Sequence, residues 1–364
     1  MCNKKFTLIA VFILENYLFL LYSNSIFSLI VKKTLQECSM RNSIIKLCML
    51  LSLSLATFYS FAEAKTEQKF VAITAIVEHP ALDNVRKGVE DELKDSGYIA
   101  GKNLKLQFLS AQGSSANAAQ IAKQFVANKP DVIVGIATPS SQALVATTKL
   151  IPIVFTAVTD PVAAKLTPSW DASKTNVTGV SDALSLDSQI DMMLKIKPEA
   201  KNIGYVYSPS EVNSTIILKQ LQNELEKRGM KIIAAPAQRT SDISTAARSL
   251  KGKVDMIYTT TDNNVVSAYE ALAKVANESK IPLIASNPES AERGAIAALG
   301  MSYYDLGRQA GKIVIRILNG ENPGDIPPQV GNVTQLTINK KAAERQGVIL
   351  PENVLKSATK IVEK

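Results

Sequence analysis

Four short apolar runs in this chain stop in small polar clusters, and each cluster opens a segment with helical patterning. Residues 72–77 run into Glu78-His79-Pro80, and residues 132–136 into Thr138-Pro139-Ser140-Ser141. Residues 153–158 run into Thr159-Asp160-Pro161, and residues 254–258 into Thr259-Thr260-Thr261-Asp262-Asn263. Open parallel α/β sheets gather polar side chains and free helix amides at the carboxyl ends of their strands. The pattern predicts one pocket lined from many strand ends rather than a single catalytic motif.

The alternation extends along the chain. The runs at 131–136 and 152–158 are β-branched, as strands of buried parallel sheets are. A helix over 81–96 is stopped by Gly97, and Ser114 or Ser115 caps another that ends before Pro130. A second series starts with a helix over 186–196 and a strand over 202–207. It continues with a helix over 211–228, strands over 230–235 and 254–258, a helix over 265–279 and a strand over 281–285. The tail predicts a helix over 303–318, a Gly/Pro-rich link over 319–328, a strand over 333–338 and a last helix near 351–362.

Repeated strand–helix units imply parallel sheets with right-handed crossovers. The expected fold class is α/β, with two doubly wound, Rossmann-like lobes. A chain of 364 residues exceeds the usual single core, in keeping with two domains. The first series gives way to the second near 179–183, and the late link implies that the chain passes between halves more than once.

The front of the chain has another character. Met40-Arg41-Asn42-Ser43-Ile44-Ile45-Lys46 is a short positive region, 47–60 an apolar stretch, and Ala62-Glu63-Ala64 a small-residue cleavage site. These are the parts of a secretory signal peptide, with cleavage expected after Ala64 and periplasmic localisation following from it. Residues 6–31 are apolar enough to span a membrane, interrupted by Glu15. A complete signal starting at Met40 favours reading 1–39 as an over-extended start; the other reading is a retained membrane helix.

All three cysteines (Cys2, Cys38, Cys48) precede the expected cleavage point, so the mature chain offers no thiol chemistry and no Cys-based metal site. Six of the 41 basic and three of the 33 acidic residues also lie before Lys65, leaving a net charge of +5. The remaining charges alternate in sign, as in Glu224, Glu226, Lys227 and Arg228, which describes a solvated face and not a nucleic-acid stripe. There is no Gly-x-Ser-x-Gly elbow, no phosphate-binding Gly-x-x-x-x-Gly-Lys-Ser/Thr loop and no His-rich metal set. With one histidine, His79, few nucleophile–base pairs remain. No catalytic residue, metal or cofactor is expected, and a carboxylate-only enzyme is the residual alternative.

Several strings carry a resemblance. They are Ile76-Val77-Glu78-His79-Pro80-Ala81-Leu82-Asp83, Ser96-Gly97-Tyr98 with Gly101-Lys102-Asn103-Leu104, Ile136-Ala137-Thr138-Pro139, and Thr156-Ala157-Val158-Thr159-Asp160-Pro161-Val162. Asn176-Val177-Thr178-Gly179-Val180-Ser181-Asp182, Asp262-Asn263 and Tyr303-Tyr304-Asp305-Leu306-Gly307 continue it. In this order, across roughly residues 70–345, the chain resembles the ABC-transporter substrate-binding proteins that include the tryptophan/tyrosine-type amino-acid-binding proteins. The resemblance implies a type I periplasmic binding-protein fold with a three-segment hinge, crossing near 179–182, 300–303 and 327–332. One lobe would comprise 65–180 plus 302–326, the other 181–301 plus 327–364. It also implies a soluble, exported, monomeric receptor that delivers its ligand to an ABC permease and its ATPase.

A free amino acid needs partners for both its charges, because an unpaired buried charge is expensive. Thr138, Ser140 and Ser141 beside a helix N-terminus form the expected carboxylate cradle. Asn213 and Ser214 offer donors from the facing lobe. Asp262 is the first choice for the ammonium, with Asp160 or Glu78 in its place if Asp262 is only a cap. His79, Thr159 and Asn263 complete the polar lining. Tyr207, Phe155 and Tyr258 lie near strand ends where an aromatic ligand would stack, with Trp170 and Tyr303 as weaker candidates. Each polar residue named is equally at home as a helix cap, and the two roles coexist. A ligand-sensing regulator of the same fold would carry a DNA-binding module where this chain has an export signal. A membrane-tethered sensor requires residues 6–31 to be retained.

Overall fold

Strand and helix alternate through the described residues, 68–363 of this computed structural model. The signal peptide expected at 40–64 and the extension at 1–39 lie outside them. The first series is β1 (Lys69–Ala75), α1 (Pro80–Asp95), β2 (Leu104–Ser110), α2 (Ser115–Asn128), β3 (Val132–Ile136), α3 (Thr138–Thr147), β4 (Ile153–Val158) and β5 (Val177–Ser181). The second is α4 (Leu186–Ile196), β6 (Asn202–Tyr207), α5 (Val212–Lys227), β7 (Lys231–Pro236), α6 (Ile243–Ser249), β8 (Met256–Thr259), α7 (Asn263–Ser267), α8 (Tyr269–Ser279), β9 (Leu283–Ala285), α9 (Glu289–Glu292) and β10 (Ala297–Met301). The tail adds α10 (Tyr303–Leu318), β11 (Gln329–Val330), β12 (Thr334–Asn339), α11 (Lys340–Gln346), α12 (Glu352–Lys356) and β13 (Lys360–Val362).

The strands form two sheets, ordered β2-β1-β3-β4-β5-β11 and β7-β6-β8-β9-β10-β12-β13. Their first five strands follow the same doubly wound topology, and β12 alone runs antiparallel to its neighbour β10. The β-branched runs predicted as buried strands are β3 and β4, whose residues are all buried. In such sheets the ligand crevice lies where strand order reverses, here between β1 and β3 in one sheet and β6 and β8 in the other.

Helix α10 follows β10 of the second sheet but packs on the first. Tyr303, Leu306, Ala310, Ile313, Val314 and Ile317 join the core around β1–β5. Glycine permits this contact: a Cβ on Gly88 of α1 would run into the backbone of Tyr304 and Arg308, and one on Gly307 into Val85. Backbones of α1 and α10 therefore touch directly, and Arg308 pairs with Glu92 (2.6 Å) at the edge of the contact. β11 then pairs with β5 through Gln329–Val180 and Val330–Ser181, so the chain rejoins the second sheet only after Val330. The division expected at 180/181 and 326/327 is displaced accordingly, because this short parallel pairing extends the first sheet.

Two predicted helices end differently. The one expected over 265–279 is two helices, α7 and α8, meeting at Ala268. Ser267 returns its hydroxyl to the Asn263 carbonyl (2.7 Å), a local bond that competes with helix continuation. The last helix stops at Lys356, and Lys360–Val362 adds a parallel edge strand beside β12. Sheet pairing of β-branched Ile361 and Val362 outweighs helix propensity there.

Candidate functional site

Two adjoining chambers lie where strand ends of the two sheets face each other. The first, a cavity of about 10 Å3, is lined by His79, Thr138 and Asp182 from one side and by Asn213, Asn263 and Asn287 from the other. The second, about 30 Å3, is lined by Thr159, Leu184, Leu186, Gln189, Ile217 and Tyr258 among others. Asp182 and Thr261 belong to both. Each has room for about one or two water molecules, far below the ~300–1,000 Å3 typical of small-molecule sites, so a ligand enters only when the facing walls part.

His79 caps α1, its Nδ1 accepting from the Leu82 amide at 3.4 Å, so the ring proton sits on Nε2. Burial and the nearby Arg293 charge lower its pKa to about 4, so the imidazole is neutral at physiological pH. Nε2 is left to donate toward the first chamber, which Asn263 also lines.

Helix α3 starts abruptly. Ala137 sits at φ 71°, ψ 159°, a region that L-residues occupy only under constraint, and it provides no side-chain cap. The turn is held by the Ala137 amide on the Thr156 carbonyl (3.0 Å) and by Ser141 Oγ donating to Gly135 and Ala137 carbonyls (3.0 and 2.9 Å). Thr138 and an uncapped first turn therefore open onto the first chamber. Ser140 and Ser141 do not line it; both are buried behind the turn, and Ser141 maintains its geometry.

Asp182 follows β5 at the first crossing. Tyr303 donates to its Oδ2 (2.8 Å), while Oδ1 is buried and has no hydrogen-bond partner. Burial raises its pKa, opposed by the hydrogen bond from Tyr303; the nearby Thr159 hydroxyl meets Thr261 instead. An unpartnered carboxylate oxygen shared by both chambers is a receptor for a cation or strong donor.

Asp262, the first choice for that role, is placed elsewhere. It is fully enclosed and accepts from the Ser208 amide (2.6 Å), Ser208 Oγ (2.8 Å), Ser214 Oγ (2.7 Å) and the Val265 amide (3.0 Å). Both oxygens are engaged, and Asp262 lines neither chamber. Ser214 is spent on the same bond. Glu211 supports the same helix start, accepting from the Asn263 and Asn264 amides (3.1 and 3.3 Å) and Asn263 Nδ2 (2.7 Å). Burial and the neighbouring Asp262 push Glu211 up to about 7.

Asp160 and Glu78 also fall away from the chambers. Asp160 caps its own turn through the Val162 and Ala163 amides (both 3.0 Å), and Glu78 is exposed. Tyr207 stacks on Tyr205 at 5.8 Å and lines neither chamber. Phe155 lies in the first core and Trp170 is 41% exposed. His79, Thr138, Thr159, Asn213, Asn263, Tyr258 and Tyr303 are brought to the cleft.

The lining expected from sequence lacks Asp182, Asn287 and Gln189. The first two follow β5 and β9 in the same strand-end position as the polar clusters, so the sequence does carry their signal. Gln189 lies inside a helix pattern and has no such mark. Direct contacts also join the walls: Asn84 Nδ2 donates to Glu289 Oε1 (2.9 Å), and Thr159 and Thr261 hydroxyls meet at 3.4 Å. Among the described residues, no cluster of His, Cys, Asp and Glu is placed to hold a metal ion.

Twin doubly wound sheets, three crossings and an enclosed polar cleft describe a binding protein that closes on its ligand. The sequence model of the ABC transporter substrate binding protein family matches residues 70–362. This chain belongs to that family. Its α/β lobes are those of the type I periplasmic binding proteins. A tyrosine-binding protein of Clostridioides difficile is 42% identical over 274 residues, 75% of this chain and 79% of that one. An ABC domain from Streptococcus pneumonia in complex with L-Trp superposes with TM-score 0.78 at 33% identity, covering 81% of this chain and 100% of the other. A ligand-free, open substrate-binding protein with adhesive properties from Clostridium difficile gives 0.63 at 37% identity, covering 81% and 99%. The better superposition goes with the lower identity: this substrate-binding protein superposes better on the ligand-bound neighbour than on the open one.

Proposed function

We propose that this protein is the exported receptor of an ABC importer and captures a free aromatic α-amino acid between its lobes. The observation that carries the reading is Asp182: a buried carboxylate with one oxygen unpartnered, shared by both chambers. The ligand ammonium completes Asp182. Its carboxylate takes the uncapped start of α3 with Thr138 in the first chamber. The ring is assigned to the second chamber, against Leu184, Leu186, Ile217 and Tyr258, which widens to admit it when the walls part. Relatives described as tyrosine-binding and as complexed with L-Trp support the ligand class.

Because residues of both walls touch the ligand, binding favours the closed arrangement, the form a permease would receive. The signal-peptide pattern expected at 40–64 supports export, and a permease and its ATPase are the partners family membership implies. Binding without turnover is the expected behaviour. Isothermal titration of the protein expressed from the full chain, against each amino acid, tests the reading. Heat is expected with tyrosine or tryptophan; none with these, phenylalanine or the branched-chain amino acids would overturn it.

A further inference from the structure

Gln189 stands in the first turn of α4 and is 1% exposed, yet its side chain is only half satisfied. Its Nε2 donates to the Leu299 carbonyl of β10 at 2.8 Å. A carbonyl oxygen can only accept, so the amide orientation is settled: nitrogen toward β10, oxygen away from it. That oxygen, Oε1, is buried and has no partner. Gln189 lines the second chamber, whose apolar wall is Leu184, Leu186, Ile217 and Tyr258. A buried acceptor left without a donor is unfavourable until one reaches it.

Resting on the amino-acid reading above, we propose that Gln189 is the specificity-determining acceptor for the ligand's side chain. It selects a flat apolar ring that carries a single neutral hydrogen-bond donor, a phenol O–H or an indole N–H. The division of labour follows from charge. Asp182 is ionisable and adjoins both chambers, so it suits the ammonium. Gln189 is neutral and adjoins the second chamber alone, so it suits an uncharged donor. A ring without a donor fills the same space but leaves Oε1 unpaired. A site built to hydrogen-bond a group rejects the analogue lacking it far more strongly than an apolar pocket rejects a missing methylene.

The test is calorimetry on the protein expressed from the full chain, with tyrosine, tryptophan, phenylalanine and 4-fluorophenylalanine. The last keeps the size of tyrosine's ring substituent without a donor. Native protein is expected to bind tyrosine and tryptophan about tenfold or more tighter than the two donor-free rings. In Gln189→Leu the gap is expected to close to within about threefold, through weaker tyrosine and tryptophan binding with phenylalanine retained. Equal affinities for all four in the native protein would overturn the assignment while leaving the amino-acid reading intact. So would a Gln189→Leu protein that loses affinity for every ligand by one common factor. Failure of all four ligands would remove the amino-acid reading itself. Since Gln189→Leu also loses the bond to Leu299, a thermal melt accompanies it, and the four-ligand comparison on native protein decides the matter if the variant unfolds.

Discussion

Helices α3 and α7 start at equivalent places, each after the third strand of its winding, and they face the same cleft. At α3 the cap position is Ala137, with no side-chain cap and a backbone held at φ 71°. At α7 the start is covered twice, by Asp262 on the Val265 amide and by Glu211 on the Asn263 and Asn264 amides. One wall thus leaves donors free for an anion, whereas the other has consumed its donors internally, the side-chain amides of Asn213 and Asn263 included. Two sheets of the same topology have been made unlike at the level of caps. A ligand carboxylate is steered to the first wall, and carboxylates on the second wall are structural.

Substituting the two aspartates separates those roles most sharply. Asp182→Asn keeps an acceptor for Tyr303 but removes the charge that meets an ammonium, and is expected to weaken amino-acid binding about 100-fold or more with little change in stability. Asp262→Ala leaves the donors of Ser208, Ser214 and Val265 without their acceptor, and is expected to destabilise the fold by about 3 kcal/mol in urea titration. If Asp262→Ala were stable and binding-dead while Asp182→Asn bound normally, the contrast between the walls would be reversed.

The doubly covered helix start also has a pH signature. Glu211 is raised to about 7 from an ordinary 4.5, so between those values the folded state holds a proton that the unfolded state has released. Its contribution to stability is present below about pH 4.5 and lost as pH rises through about 7. His79, lowered from 6.5 to about 4, contributes in the opposite sense: its share is present above 6.5 and lost as pH falls through about 4. Urea titrations at pH 5 and pH 8 on native protein and Glu211→Gln isolate the Glu211 share. Native protein should gain about 2 kcal/mol relative to the variant at the lower pH. A constant difference between the two proteins would mean that burial at the α7 start does not raise Glu211.

The smallest effect concerns the contact between walls. Asn84→Ala removes the bond to Glu289 Oε1, whose partner oxygen Oε2 is already unpartnered. The loss, about 1 kcal/mol in the closed state, should weaken ligand binding about fivefold. Small-angle scattering of the unliganded protein should show the more open form gaining population. Unchanged scattering and affinity would place the closing force in the ligand alone.

Strand positions, the two series and the location of the pocket were legible because periodicity and strand-end clusters are local signals. So was the strand-end position of Asp182, although composition did not distinguish it from Asp160 or Asp262. All three are aspartates after apolar runs, and each is chemically suited to cap a helix or hold a cation. The break at Ala268 and the final strand at Lys360–Val362 escaped sequence reading, since a back-bonding serine and a sheet edge are set by neighbours distant from the helix pattern. Residue order along the chain specified two parallel sheets and the polar ends of their strands. Only the assembled lobes decided which carboxylate was spent: Ser208, Ser214 and the α7 amides take Asp262, while Tyr303 takes one oxygen of Asp182 and leaves the other to the cleft. Hydrogen-bond capacity is exhausted by contacts between segments far apart in sequence, and no local pattern records which acceptor remains unfilled.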